Sequence, residues 1–212
     1  MPAQNVIVDT GCANLSSVKF AIERLGFEVT ITDDINTIKS ATKVILPGVG
    51  SAIHAMKNIH AKGLVATLQN LTQPVLGFCL GMQLMCRSSV ESTNGAIVEC
   101  LNIIPTDIKA LDAKEQRLPH MGWNTLTSVN NHPVFAGINI GDYFYFVHSY
   151  AAQVSEFTVA TCLYGSEFSA AIAKDNFIGC QFHPERSSKL GSKIIKNFLE
   201  LPIEKFNWEN QK

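Results

Sequence analysis

Short apolar runs alternate with helical stripes through the first half of the chain. Asn5 to Asp9 reads as a strand, and Leu15, Val18, Ile22 and Leu25 then form a helical stripe that Gly26 ends. Val29 and Ile31 mark a second strand, Val44 to Leu46 a third that runs into Pro47-Gly48-Val49-Gly50, and Val75 to Cys79 a fourth. A helix is expected after each of the last two. Strands alternating with helices predict a parallel sheet wrapped by helices.

The second half changes character. Asn124 to Val129, Tyr143 to Val147 and Phe157 to Leu163 read as short strands, and Asp175-Asn176 as the turn of a hairpin. Leu190, Ile194, Phe198 and Leu201 recur at helical spacing opposite Lys193, Lys196 and Asn197, so 189–201 is expected to form a helix packed on the sheet. The fold class is α/β with a mixed sheet. No repeat, low-complexity tract or long linker divides residues 1–212, and a single domain is expected.

Composition narrows the function. With 46% hydrophobic and 17% charged residues, 212 residues can bury a sizeable core without disulfides or metal. The net charge of -1 gives no basic footprint for nucleic acid or an anionic membrane. Met1 to Gly11 lacks a signal-peptide pattern, and no apolar stretch reaches the roughly 20 residues that span a bilayer, so a cytoplasmic location is expected. Cysteines 12, 79, 86, 100, 162 and 180 form no CxxC pair and read as reduced thiols. Five of them have the setting of small buried hydrophobes. Cys79 stands apart.

Gly77-Phe78-Cys79-Leu80-Gly81 lies between a strand-like and a helix-like segment, a nucleophile elbow with Cys in place of Ser. Small residues on either side allow the tight turn, and Cys79 is expected to stand exposed at a helix N-terminus that favours its thiolate. A thiolate nucleophile needs a proton carrier and an orienting group. His183 ends the apolar run 177–182 in Gln181-Phe182-His183-Pro184-Glu185, and in an extended segment Glu185 projects to the same side as His183. The order Cys, His, Glu argues against an esterase. The Leu80 backbone N–H supplies one oxyanion donor, and the loop Gly48-Val49-Gly50 is the candidate for the second. With no GKS or GKT after it, that loop is not a phosphate cradle.

The segments VDTGCANLSSV, LPGVG, PVLGFCLGMQLM, LPHMGWN, YFYFVHSY and GCQFHPERS span nearly the whole chain, and together they resemble class I glutamine amidotransferases. PHMGWN and YFVHSY resemble the branch that serves imidazole glycerol phosphate synthase in histidine biosynthesis. The resemblance implies a flavodoxin-like, mostly parallel central sheet flanked by helices, with an added antiparallel part. It also implies Cys79 as nucleophile, His183 as base and Glu185 as orienting acid, with Gly50, Gln83, Ser149 and Tyr150 binding the glutamine. No cofactor or metal is called for. The implied partner is a cyclase subunit with a (β/α)8 barrel in a heterodimer, which takes up the ammonia. A site open against that partner is expected to be ringed by Asn14, Met121, Trp123 and Arg186, with Met121 and Trp123 on a loop. His148, a histidine flanked by apolar residues, reads as a core group. Two other readings stand: a glutaminase serving a different synthase, and a non-enzymatic flavodoxin-like binding module.

Overall fold

The computed structural model describes residues 4–11, 14–92 and 96–203. Cys12 and part of the VDTGCANLSSV segment lie outside the described residues. The first half forms β1 (Asn5–Val8), α1 (Leu15–Glu23), β2 (Val29–Thr32), α2 (Ile35–Ser40), β3 (Lys43–Leu46), α3 (Ala52–Ala61), α4 (Val65–Gln69), β4 (Val75–Phe78) and α5 (Leu80–Met85). β2, β1, β3 and β4 pair in that order, all parallel. β1, β3 and β4 are buried throughout because helices cover both faces, which is why they read as unbroken apolar runs. Ile7, Ile45 and Leu76 join the core beneath α1, whereas Val6, Val44 and Val75 join the one beneath α3 and α5. This division follows the two-residue strand period.

α2 and α4 were not evident in the pattern. α2 buries only Ile38, and its start is set by Asp34, whose carboxylate accepts the Thr37 N–H at 2.7 Å. Helices of five or six residues are too short to display a stripe.

The second half adds β5 (Cys86–Ser89), β6 (Val98–Glu99), β7 (Ile104–Ala110), β8 (His120–Val129), β9 (Tyr143–His148), β10 (Tyr150–Ala152), β11 (Thr158–Tyr164), β12 (Ser166–Lys174) and β13 (Phe177–Cys180). α6 (Ser188–Glu200) closes the described fold. β13 is the seam of a nine-stranded sheet: it runs parallel to β4 and antiparallel to β12, and β11, β8 and β9 continue antiparallel to the edge. A separate four-stranded sheet, β10-β7-β5-β6, was not anticipated. Cys86 starts its strand β5 instead of ending the helix after Cys79.

Contrary to expectation, Pro119 to Trp123 is not a loop, because β8 begins at His120 and pairs with β9 from His120↔His148 to Thr125↔Tyr143. Pro119 sits just before the strand, where its missing N–H removes no ladder bond. Met121 and Trp123, two apart, are nevertheless 62% and 52% exposed. No described helix is long and apolar enough to cross a membrane.

α6 lays Ile194, Ile195 and Phe198 on the sheet. Its C-terminus is held by Lys43 at the start of β3, whose ammonium donates to the carbonyls of Phe198, Leu199 and Leu201. Burial lowers the Lys43 pKa to about 8. These charge-assisted bonds satisfy carbonyls that a helix end leaves open. Lys43→Met is expected to lower the unfolding free energy by about 2 kcal/mol, measured as a shift of the urea midpoint at unchanged slope.

Candidate active site

β4 delivers Cys79 to the C-terminal edge of the parallel strands, and the backbone there takes the strained values φ 50 and ψ -109 before α5 begins. The turn is possible because α5 lies directly on β3: a Cβ on Gly81 would stand 1.7 Å from the Leu46 carbonyl oxygen. Cys79 is 7% exposed and forms part of the wall of a cleft of about 440 Å³, so the expectation of an exposed thiol is corrected to a recessed one. α5 spans only Leu80–Met85.

His183 is reached by a different local geometry from the one expected. The extended path stops at His183, and Pro184–Arg186 forms a 3-10 turn that curls Glu185 back. His183 Nδ1 lies 2.9 Å from Glu185 Oε1, and the imidazole shares the wall of the cleft with Cys79. Burial works to lower the His183 pKa, but the hydrogen bonds and charges of Cys79 and Glu185 outweigh it and raise the value to about 10. The ring therefore holds its proton through the neutral range. Glu185 Oε2 is buried without a hydrogen-bond partner among the described residues, which leaves His183 as the group that answers its charge.

The backbone of His183 is clamped to the edge strand. Its N–H donates to the Tyr145 carbonyl at 2.9 Å, while Ser187 Oγ donates to the His183 carbonyl at 2.7 Å and accepts from the Tyr145 N–H at 3.0 Å. Ser187 was missed in the sequence, where a serine after a charged pair carries no distinguishing signal.

Gln83 is buried, one turn into α5. Its Nε2 donates to the Tyr150 carbonyl and to Gln181 Oε1, both at 3.0 Å, so the amide oxygen is the atom it retains for a ligand. Gln181 Nε2 in turn reaches Cys79 Sγ at 3.8 Å, and that sulfur lies 3.7 Å from the Val147 carbonyl. Gln181 belongs to the Gln-Phe-His-Pro-Glu motif, yet nothing in its sequence position revealed that it touches the thiol.

Of the oxyanion candidates, Leu80, Val49 and Gly50 line the cleft. Gly48 instead packs on the elbow, where an added Cβ would sit 2.9 Å from the Gly81 nitrogen. Gly50 has φ 94 with open space where a side chain would go, so its peptide has room to turn. Ser149, Tyr150, Asn14 and Arg186 also reach the cleft. Met121 and Trp123 do not line it. They flank it on β8, where Trp123 meets the Tyr145 ring edge at 6.0 Å and Arg186 lies over the same ring at 5.9 Å. Tyr145 was not foreseen as the link between the two.

Glu91 is a further residue the sequence did not reveal. It lines the cleft half-buried, burial raises its pKa, and its Oε2 accepts the Ala52 N–H at the start of α3 at 3.0 Å. The arrangement is that of a cysteine-based acyl-transfer site with a carboxylate and an amide oxygen on its wall.

The model of the family described as glutamine amidotransferase class-I matches residues 6–201. The chain belongs to the class-I glutamine amidotransferases. Within them it is similar to the imidazole glycerol phosphate synthase subunit HisH of Colwellia psychrerythraea, 72% identical over 98% of this chain and 97% of that one. The HisH subunit of Shewanella sediminis is 57% identical over 92% of this chain and 90% of that one. Among solved structures, the glutaminase domain of Trypanosoma brucei CTPS with bound acivicin aligns at TM-score 0.62 and 14% identity, over 94% of this chain and 95% of that one. PurLQS from Thermotoga maritima aligns at TM-score 0.69 and 16% identity, over 94% of this chain and 98% of that one. These two likenesses concern the fold.

Proposed function

We propose that the chain, acting as a single amidotransferase domain, is the glutaminase subunit of imidazole glycerol phosphate synthase in histidine biosynthesis, and that Cys79, His183 and Glu185 are its catalytic triad. The observation that carries the triad is that Cys79 and His183 share the wall of one cleft while Glu185 Oε1 lies 2.9 Å from His183 Nδ1. Cys79 attacks the side-chain amide carbon of glutamine, and the tetrahedral oxyanion is met by the Leu80 N–H and a peptide N–H of the Val49-Gly50 segment. His183, already protonated, gives its proton to the departing ammonia. It then takes a proton from the water that hydrolyses the glutamyl thioester, which releases glutamate, whose carboxyl proton passes to solvent, and restores the Cys79 thiolate beside the protonated ring. Glu185 holds the ring and answers its charge through both steps. A glutamine analogue that alkylates nucleophiles tests the assignment: it should add one adduct at Cys79 by mass spectrometry and none to the Cys79→Ala protein.

The substrate's α-ammonium is best met by acceptors, and Glu91 and the Gln83 amide oxygen supply them on the cleft wall. Ser149, Tyr150 and Gly50 complete the binding set. Glu91→Gln keeps the shape and removes the charge. It is expected to raise KM for glutamine about tenfold with a smaller change in kcat, measured as glutamate release; an unchanged KM rejects the assignment.

The partner is a cyclase subunit with a (β/α)8 barrel, in a heterodimer that passes ammonia on before solvent protonates it. Asn14, Met121, Trp123 and Arg186 form its docking surface around the cleft, and the exposure of Met121 and Trp123 supports this. Trp123→Ala or Arg186→Ala is expected to weaken the complex by roughly tenfold or more, measured by calorimetry against the cyclase. Unchanged affinity in both variants would sink the proposed surface. A cytoplasmic location belongs to the same proposal, supported by free thiols at all five described cysteines.

A further inference from the structure

The cross-strand pair His120↔His148 joins two buried imidazoles whose protons the surroundings determine. His148 Nδ1 lies 2.9 Å from the Tyr150 carbonyl, which only accepts, so that nitrogen carries the hydrogen. Its Nε2 must then accept, at 3.0 Å, from His120 Nδ1. The remaining His120 nitrogen, Nε2, accepts from the Asn124 amide at 3.2 Å. Asn124 has no freedom to reverse: its Nδ2 also donates to the Leu163 carbonyl at 3.0 Å and its oxygen accepts the Thr125 N–H at 2.8 Å. Every hydrogen bond from Asn124 to Tyr150 thus points the same way.

Two further observations support the rigidity of this chain. The His120 ring is stacked on Tyr164 at 4.0 Å and on Phe146 at 4.9 Å, which fixes its plane. Burial lowers the pKa of His120 to about 4, and burial with smaller contributions from His120 and His183 lowers that of His148 to about 3, so both rings stay neutral at working pH. The chain ends on the carbonyl that also accepts the Gln83 amide, and Gln83 leads through Gln181 to the Cys79 sulfur.

We infer that His120 and His148 are positioning residues for glutamine binding: they pin the Tyr150 carbonyl and so hold the Gln83 amide with its oxygen, not its NH2, toward the substrate. This rests on the glutaminase reading of the Cys79 site. A reversed Gln83 amide would present a donor where the substrate's ammonium needs an acceptor. The two histidines act on affinity and discrimination and transfer no proton, because the ring nitrogens of His148 are both committed and neither touches the thiol.

The test separates orientation from packing. His120→Phe keeps a ring between Tyr164 and Phe146 but removes both hydrogen bonds, whereas His148→Asn retains a donor near the position of Nδ1. With the cyclase present, His120→Phe should raise KM for glutamine about tenfold and leave kcat within about twofold. His148→Asn should keep KM within about threefold of the parent. Glutamine binding to the Cys79→Ala protein, with and without His120→Phe, is measured by calorimetry and should weaken by the same factor of about ten. An unchanged affinity, or a kcat that falls as far as KM rises, would overturn the inference. Failure of the Cys79→Ala protein itself to bind glutamine would overturn the glutaminase reading, and the inference with it.

Discussion

Replacing Cys79 with alanine is expected to remove glutamine-dependent synthesis by the complex, by at least about a thousandfold, while synthesis from added ammonium salts stays close to the parent rate. The thiolate serves only to make ammonia, so a cyclase supplied with ammonia from solution has no use for it. The effect is large because no other described cysteine reaches the cleft: Cys86 and Cys180 are fully buried, and burial pushes the Cys86 thiol far up its scale and that of Cys180 with it. Serine at the same position is expected to fare little better, since its hydroxyl is a much weaker acid than a thiol. Glutamate release by the Cys79→Ala protein at the parent rate would reject the nucleophile assignment.

Glutamate release by the chain alone is expected to be slow and to rise by about two to three orders of magnitude when the cyclase carrying its own substrate is added. That is the range lost when one oxyanion donor is missing. The element proposed to be responsible is the peptide segment Gly48-Val49-Gly50. Gly48 is anchored against the elbow, whereas Gly50 has φ 94 and open space beside it, so a turn of the peptide between them moves little else. Rotation presents either a carbonyl or an N–H to the cleft, and only the N–H stabilises an oxyanion. Full activity in the purified chain without partner would count against this mechanism. Gly50→Ala, which strains the positive φ, is expected to blunt the rise while leaving the basal rate of the isolated chain nearer its starting value.

Much of this protein is legible in local sequence. Continuous apolar runs identified β1, β3 and β4, because a strand covered on both faces needs no polar alternation. The stripes of α1 and α6 were equally plain. Cys79 between its glycines and His183 two residues before Glu185 carried the proposed triad, since both are local constraints: a tight turn and a short side-chain reach. The second sheet was not legible, because β6 and β10 have two and three residues and display no period. Nor was the strand character of Pro119 to Trp123, where turn-forming residues are overridden by pairing with β9. The polar interior was decided by the tertiary structure alone. Gln181 meets Cys79 from 102 positions away, His120 meets His148 from 28, and Glu91 caps α3 from 39. Local periodicity reports which side of an element turns inward, but the partner of a buried donor or acceptor is chosen by whichever distant strand is brought beside it, and only the folded chain contains that information.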